Sequence, residues 1–264
     1  MSDSVRLERD GPIARLTLNR PEAGNAIDLE LAHELAEKAA ACADDAAIRC
    51  VVLTGTGRFF CVGGDVKLFA TATGDELADL LRELAGTVAL AVSRFSRMDK
   101  PLLVAVNGPA AGAGFSLAMA GDIVLASETA QFTAGYSAIG LAPDAGLTWQ
   151  LPRLVGLRRS QEILLTNRRV GAVEAERIGL VTRITGDGEL DSETNAMARS
   201  LAHGPTAAFA ATRALLLHNS LRSYEEQMAD ETKAIGAAGA RPEGQEGIAA
   251  FVAKRTPRFE GKQR

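Results

Sequence analysis

Two glycine-bearing segments have the composition of backbone anion sites. The first is Phe60-Cys61-Val62-Gly63-Gly64-Asp65-Val66, and the second is Asn107-Gly108-Pro109-Ala110-Ala111-Gly112-Ala113-Gly114-Phe115. Each follows an apolar strand-like run and leads into a helix start. Small residues there let another group approach the main chain closely. The first N–H groups of a helix have no internal partner, and the helix dipole places partial positive charge beside them. Such amides favour a developing negative oxygen. Tight helix–sheet packing is the competing reading of either loop alone. Phosphate binding is a third, but no G-x-x-x-x-G-K-[ST] occurs, and Gly112-Ala113-Gly114 is not a strict dinucleotide fingerprint.

One carboxylate sits in small, apolar company: Asp144, in Leu141-Ala142-Pro143-Asp144-Ala145-Gly146. Burial there would raise its pKa toward a value useful for moving protons. The alternative is an N-cap for a helix beginning near Gly146. Gly114-Phe115-Ser116-Leu117-Ala118 has the outline of a nucleophile elbow, yet a serine hydrolase needs a partnered histidine. His33, His203 and His218 all fall in helices that read as surface. Ser116 therefore reads as a helix serine lining a pocket. Cys42, Cys50 and Cys61 are odd in number and lack metal-ligand spacing, so reduced core thiols and no metal are expected.

The elements that must hold these groups alternate in type. Val5 to Glu8 and Ile13 to Leu18 read as a hairpin turning at Asp10-Gly11. Asp28 is placed to cap a helix striped by Leu29, Ala32, Leu35, Ala36 and Ala39. Cys50 to Leu53 suits a strand buried on both faces. A long amphipathic helix follows, marked by Leu77, Leu80, Leu81, Leu84, Val88, Ala91, Val92 and Phe95. Pro101 opens a strand over Leu102 to Val106; Gly112 to Ala120 is helical, and Asp122 to Ala126 is again a strand. The pattern is α/β. After Gly188 only helical stripes remain, including Leu215, Leu216, Met228, Ile235, Ile248, Phe251 and Val252. The expected division is a core over 1–187 and a helical region over 188–264, packed on the core or on a neighbouring subunit.

The 264 residues allow one large domain or one domain plus a small appendage, and 47% hydrophobic content is ample for a core. With 29 basic and 33 acidic residues the formal charge is −4, which argues against nucleic acid as a partner. No apolar run approaches the ~20 residues of a membrane span. The charged start Met1-Ser2-Asp3-Ser4-Val5-Arg6 lacks a signal-peptide block, so a cytoplasmic location is expected.

Taken in order, many short segments resemble the crotonase superfamily, the enoyl-CoA hydratase/isomerase family. They run from Leu18-Asn19-Arg20-Pro21-Glu22 with Asn25-Ala26, through Phe60 to Asp65, Lys100-Pro101 and Asn107-Gly108. They continue at Asp122-Ile123, Gln131-Phe132, Ile139-Gly140-Leu141 with Pro143, and Leu151 to Gly156. Glu246-Gly247, Ala250-Phe251 and Lys254-Arg255 complete the set. The resemblance implies a spiral of ββα units and a helical C-terminus that builds a homotrimer or a dimer of trimers. It implies an acyl-CoA substrate, no separate cofactor, and an oxyanion hole from the N–H groups of Gly64 and Ala113. Ala113 stands where glycine is usual, which a backbone donor tolerates. Coenzyme A is expected along Glu22, Ala23, Asn25 and Ala26, near Asp65 and Val66, and at Phe251 and Lys254, often from a neighbouring subunit.

The chain departs from the hydratases of that family. Their two catalytic glutamates correspond to Ser116 and Tyr136. Hydration needs a base for water and an acid for the α-carbon, which serine and tyrosine supply poorly near neutral pH. A single carboxylate, Asp144, suits an isomerisation instead. Asp144 with Ala111-Gly112-Ala113-Gly114 looks most like the epoxyphenylacetyl-CoA and enoyl-CoA isomerases of phenylacetate breakdown. Ser116, Tyr136 and Leu141 are expected to shape the acyl pocket. Enoyl-CoA hydration is the runner-up. A 4-chlorobenzoyl-CoA dehalogenase-like hydrolase would use Asp144 as nucleophile, but it needs a histidine in the long helix, and residues 75–98 contain none. A CoA-binding non-enzyme is the last alternative.

Overall fold

The computed structural model describes residues 3–259. Its strands are β1 (Val5–Asp10), β2 (Ile13–Leu18), β3 (Cys50–Gly55), β4 (Leu102–Val106), β5 (Ala110–Ala111), β6 (Ile123–Ser127), β7 (Gln131–Thr133), β8 (Val170–Gly171) and β9 (Arg183–Thr185). The helices are α1 (Leu29–Asp44), α2 (Val66–Phe69), α3 (Gly74–Arg97), α4 (Ala113–Met119), α5 (Leu147–Val155) and α6 (Leu157–Thr166). Then come α7 (Ala172–Arg177), α8 (Leu190–Ala202), α9 (Thr206–His218), α10 (Tyr224–Ala240) and α11 (Pro242–Val252).

A six-stranded sheet runs in the order β1-β2-β3-β4-β6-β9. The β1–β2 hairpin is antiparallel, and every later neighbour pairs in parallel. A smaller sheet, β5-β7-β8, stands beside it. The expected mixed α/β architecture is present. The small sheet has no sequence signature, because strands of two or three residues are too short to show alternation.

The two-sided burial of β3 and β4 follows from their alternation. Val51, Leu53, Leu102, Val104 and Val106 enter the main core with α1 and α3. Cys50, Val52, Leu103 and Ala105 face a second cluster that includes Leu190, Ala198 and Ala202 of α8. Helix α8, just past the expected division at 187/188, thus covers the second face of the sheet. Asp28 caps α1, accepting from the Leu31 N–H at 2.9 Å. At the other end Lys100, 3% exposed, donates to the carbonyls of Cys42, Ala43 and Asp45 at 2.8, 3.0 and 2.8 Å. A cation there complements the dipole as well as the orphan carbonyls.

Helix α9 is docked by one side chain. Arg213 holds Asp122 through Nε at 2.8 and 2.7 Å and the Phe95 carbonyl at 2.6 Å, and it also bonds the Met98 carbonyl. Arg213→Leu removes the donor of the Phe95 and Met98 carbonyls and the cation beside Asp122, which keeps the Leu102 N–H at 2.7 Å. It should cost about 2–3 kcal/mol, the worth of hydrogen bonds to a charged group. A urea melt, together with faster amide exchange in α9, checks this. Beyond α9 the apolar stripes face outward in the single chain: Met228, Ile235, Ile248, Phe251 and Val252 are all exposed. No helix among the described residues is long and apolar enough to cross a membrane.

Candidate active site

The two glycine-bearing loops touch. The Ala111 N–H donates to the Cys61 carbonyl at 2.9 Å, and the Phe60 N–H donates to the Pro109 carbonyl at 3.1 Å. Gly114 makes the approach possible: a Cβ on it would stand 2.1 Å from the Cys61 carbonyl oxygen. Gly112, at φ 53° and ψ −129°, turns the chain into α4 through a region open essentially to glycine alone. The close-packing reading of these glycines therefore holds. On the other side, the Ile27 N–H donates to the Gly63 carbonyl at 2.8 Å and the Asp65 N–H to the Ile27 carbonyl at 2.9 Å. This ladder fixes the peptides on both sides of Gly64 and leaves its own N–H out. Among the described residues, neither the Gly64 N–H nor the Ala113 N–H has a protein acceptor. Both residues line one cavity of about 250 Å³.

Asp144 lines the same cavity. Its side chain does not cap α5. The Leu147 N–H donates to the Asp144 backbone carbonyl at 3.1 Å, and Gly146 occupies the cap position. The carboxylate instead accepts from the Tyr136 hydroxyl at 2.6 Å. Burial pushes the Asp144 carboxyl above its ordinary range, against the Tyr136 hydrogen bond, which favours the charged form. The Tyr136 hydroxyl is pushed up as well, first by burial and then by the adjacent Asp144 charge. Ala145, directly after the acid, is held at φ 47°.

The remaining wall is apolar. Leu81, Leu84, Ala85 and Val88 come from α3, Phe69 from α2, and Ile139 and Leu141 from the segment before Asp144. In the sequence the α3 stripe reads only as core packing, because periodicity carries no mark that distinguishes a cavity wall from a filled core. Asn167 lies in the segment Leu164-Leu165-Thr166-Asn167-Arg168, which resembles the dehalogenases of the family, but sequence reasoning gives it no role in the site. At the left-handed end of α6 (φ 53°), its Oδ1 accepts from the Gly135 N–H at 2.5 Å, next to Tyr136. An asparagine followed by Arg168 gives no sequence signal of a contact across 32 positions.

Other expected site residues are placed as follows. Ser116 is fully buried just behind the wall, with its hydroxyl near that of the wall residue Tyr136. Asn25 belongs to the first loop's own scaffold. It is fully buried, and its amide is spent on the carbonyls of Thr56, Phe59 and Phe60 at 3.0, 2.8 and 3.1 Å. Its side chain staples the first loop and is not free for a ligand. Glu22 is exposed and Ala23 half-buried, while the buried Ala26 lends its carbonyl to Arg20 at 2.6 Å. Asp65 caps α2 and pairs with Arg20 at 3.4 Å. Val66 reaches the cavity. Phe251 and Lys254 are exposed and lie outside the cavity wall of their own chain.

Cys42, Cys50 and Cys61 are free and buried, and burial pushes their thiols up to about 11, 12 and 12. They remain protonated, and none is poised as a nucleophile. Among the described residues no group of three or more His, Cys, Asp or Glu could hold a metal ion.

Residues 8–262 match the family model for enoyl-CoA hydratase/isomerase. The chain belongs to this family. Two curated relatives cover nearly its full length. One, from Rhodobacter capsulatus, is named "Probable enoyl-CoA hydratase"; it is 39% identical over 98% of this chain and 98% of its own. The other is the 1,2-epoxyphenylacetyl-CoA isomerase of Escherichia coli K12, 36% identical over 95% of each. Among solved structures, an enoyl-CoA hydratase from Polaromonas superimposes with a TM-score of 0.91 at 33% identity, covering 97% of this chain and 99% of that one. In this member of the enoyl-CoA hydratase/isomerase family, Asp144 is the one carboxylate of the cavity wall among the described residues.

Proposed function

We propose that the protein is an acyl-CoA isomerase in which the Gly64 and Ala113 N–H groups hold the thioester oxygen and Asp144 moves the proton. One observation carries this reading: Asp144 is the only carboxylate in the cavity wall among the described residues. It breaks a C–H bond of the bound thioester, and the electron pair enters an enolate held by the two amides. Asp144 then returns the proton to another carbon. Its raised pKa makes it a better base than an exposed aspartate and an acid strong enough to give the proton back. The apolar wall keeps bulk water away from the enolate. Coenzyme A would run past Glu22, Ala23 and Ala26, by Asp65 and Val66, with Phe251 and Lys254 contributed by a neighbouring subunit. The outward apolar stripes of α10 and α11 support assembly through that region into a trimer or a dimer of trimers.

Hydration is the second reading, favoured by the name of the Rhodobacter relative. Mass spectrometry separates the two. A panel of 2-enoyl-CoA and 3-enoyl-CoA esters, with aromatic and straight acyl groups, is incubated with enzyme in heavy water. Isomerisation leaves the mass of the product unchanged except for exchanged deuterium, whereas hydration adds a water. Mass gain on every active ester, with no double-bond shift, would overturn the isomerase reading.

A further inference from the structure

A hydroxyl chain runs behind the cavity wall. The Ser116 hydroxyl lies 3.3 Å from the Tyr136 hydroxyl, 3.2 Å from the Asp144 carbonyl and 3.5 Å from the Gly112 carbonyl. The Tyr136 hydroxyl donates to Oδ1 of Asp144 at 2.6 Å. Oδ2 of Asp144 has no hydrogen-bond partner among the described residues, yet it is not one of the sealed, unsatisfied atoms of the interior. Asp144 lines the cavity, and Tyr136 is the one side-chain donor to its carboxylate among the described residues. Tyr136 is only 8% exposed and Ser116 is fully buried, so neither hydroxyl exchanges its protein partners for bulk water.

We propose that Tyr136 is a positioning residue that pins Oδ1 of Asp144, so that the reacting proton is taken and returned by Oδ2 alone. This rests on the isomerase reading given above. In the first step the C–H bond breaks, its electron pair enters the thioester enolate, and an O–H bond forms at Oδ2. In the second step that O–H bond breaks and the proton bonds to the other carbon as the enolate pair shifts toward it. The phenol keeps its own proton throughout, donating to a charged Oδ1 before the transfer and to a carbonyl-like Oδ1 after it. Rotation of the carboxyl, which would scatter the proton between two oxygens, is blocked. Because the phenol gives its proton to Asp144, the Ser116 hydroxyl donates its single proton to the phenol oxygen from behind.

The test compares Tyr136→Phe and Ser116→Ala with the wild-type protein. The readout is acyl-CoA proton exchange against pH, with KM and kcat separated and folding checked by thermal melt. Loss of the phenol donor destabilises the carboxylate, so the acid limb of the Tyr136→Phe profile should move up by about 1–2 pH units. Plateau kcat should fall about ten- to a hundredfold through lost orientation, with KM nearly unchanged. Ser116→Ala should move the limb in the same direction by less, and it carries the test alone if Tyr136→Phe does not fold. Acid limbs that coincide with wild type, whatever the plateau, would make Tyr136 a packing residue and overturn the inference while leaving Asp144 as the base. Exchange that survives undiminished in Asp144→Asn would instead remove the parent reading, and this inference with it.

Discussion

Asp144→Asn is expected to lower proton exchange of a bound acyl-CoA by about 10²- to 10⁴-fold, the usual contribution of a positioned acid–base group. The amide keeps the shape of the side chain and still offers Oδ1 to the Tyr136 hydroxyl, so the cavity should hold its form and substrate binding should change little. The same substitution should stabilise the protein at neutral pH. Burial raises the folded-state pKa of Asp144 above its ordinary value of 3.8. Between those two values the folded chain binds more protons than the unfolded one, so stability falls as pH rises through the window. Above the raised pKa the wild type carries that whole penalty, and the neutral amide carries none of it. A higher Tm for the variant at pH 7, converging on wild type in acid, is the expected pair of melts. An aspartate retained for packing would give the opposite sign, because its loss would lower Tm at every pH. Such a stability gain joined to an activity loss is the usual signature of a functional group held in a costly place.

Gly114→Ala is the second large effect. The added Cβ would meet the Cys61 carbonyl oxygen at 2.1 Å and the Cys61 Cβ at 2.7 Å. Neither is the loose end of a flexible side chain, so the two loops themselves must separate. Overpacking of this kind costs about 1–3 kcal/mol. The larger consequence is for the amides. A displacement of about 1 Å would take Ala113, Gly64 or both out of line with a shared oxygen. Loss of one such donor is worth about 10²–10³ in rate. Gly86→Ala on α3 is the control, because nothing lies within 4 Å of the place its methyl group would take and the residue is exposed. That change should leave exchange intact and add about 0.5–1 kcal/mol of stability. Wild-type exchange rates in Gly114→Ala would mean that the contact between the loops does not govern the site.

Local signals are legible wherever the chain's own neighbours decide the outcome. The β1–β2 hairpin, the Asp28 cap and the two-sided strands at Cys50 and Leu102 each depend on turn chemistry, capping or alternation over a few residues. The family is legible for a different reason: many short segments recur in one order, and residues 8–262 match its model. The small sheet is not legible, since Ala110–Ala111 pairs with Gln131–Thr133 across a gap no local pattern spans. The outward stripes of α10 and α11 read like core in the sequence and are exposed in the chain, because periodicity reports that a face is apolar and not what covers it.

For the candidate site the division is similar. The residue types alone mark two glycine-bearing loops and one acid in apolar company, and the family resemblance adds the expectation that Ser116 and Tyr136 stand where hydratases carry glutamates. Only the tertiary structure decides that Asp144 bonds to Tyr136 rather than capping α5, that Ser116 stands behind the wall, and that the Asn25 amide is spent on the first loop. The reason is that a hydroxyl or a carboxylate carries the same donors and acceptors wherever it lies in a sequence. Which partner it meets is set by chain segments 20 or 32 positions away, as between Ser116 and Tyr136 or Gly135 and Asn167, and those meetings exist only once the sheets and helices have packed.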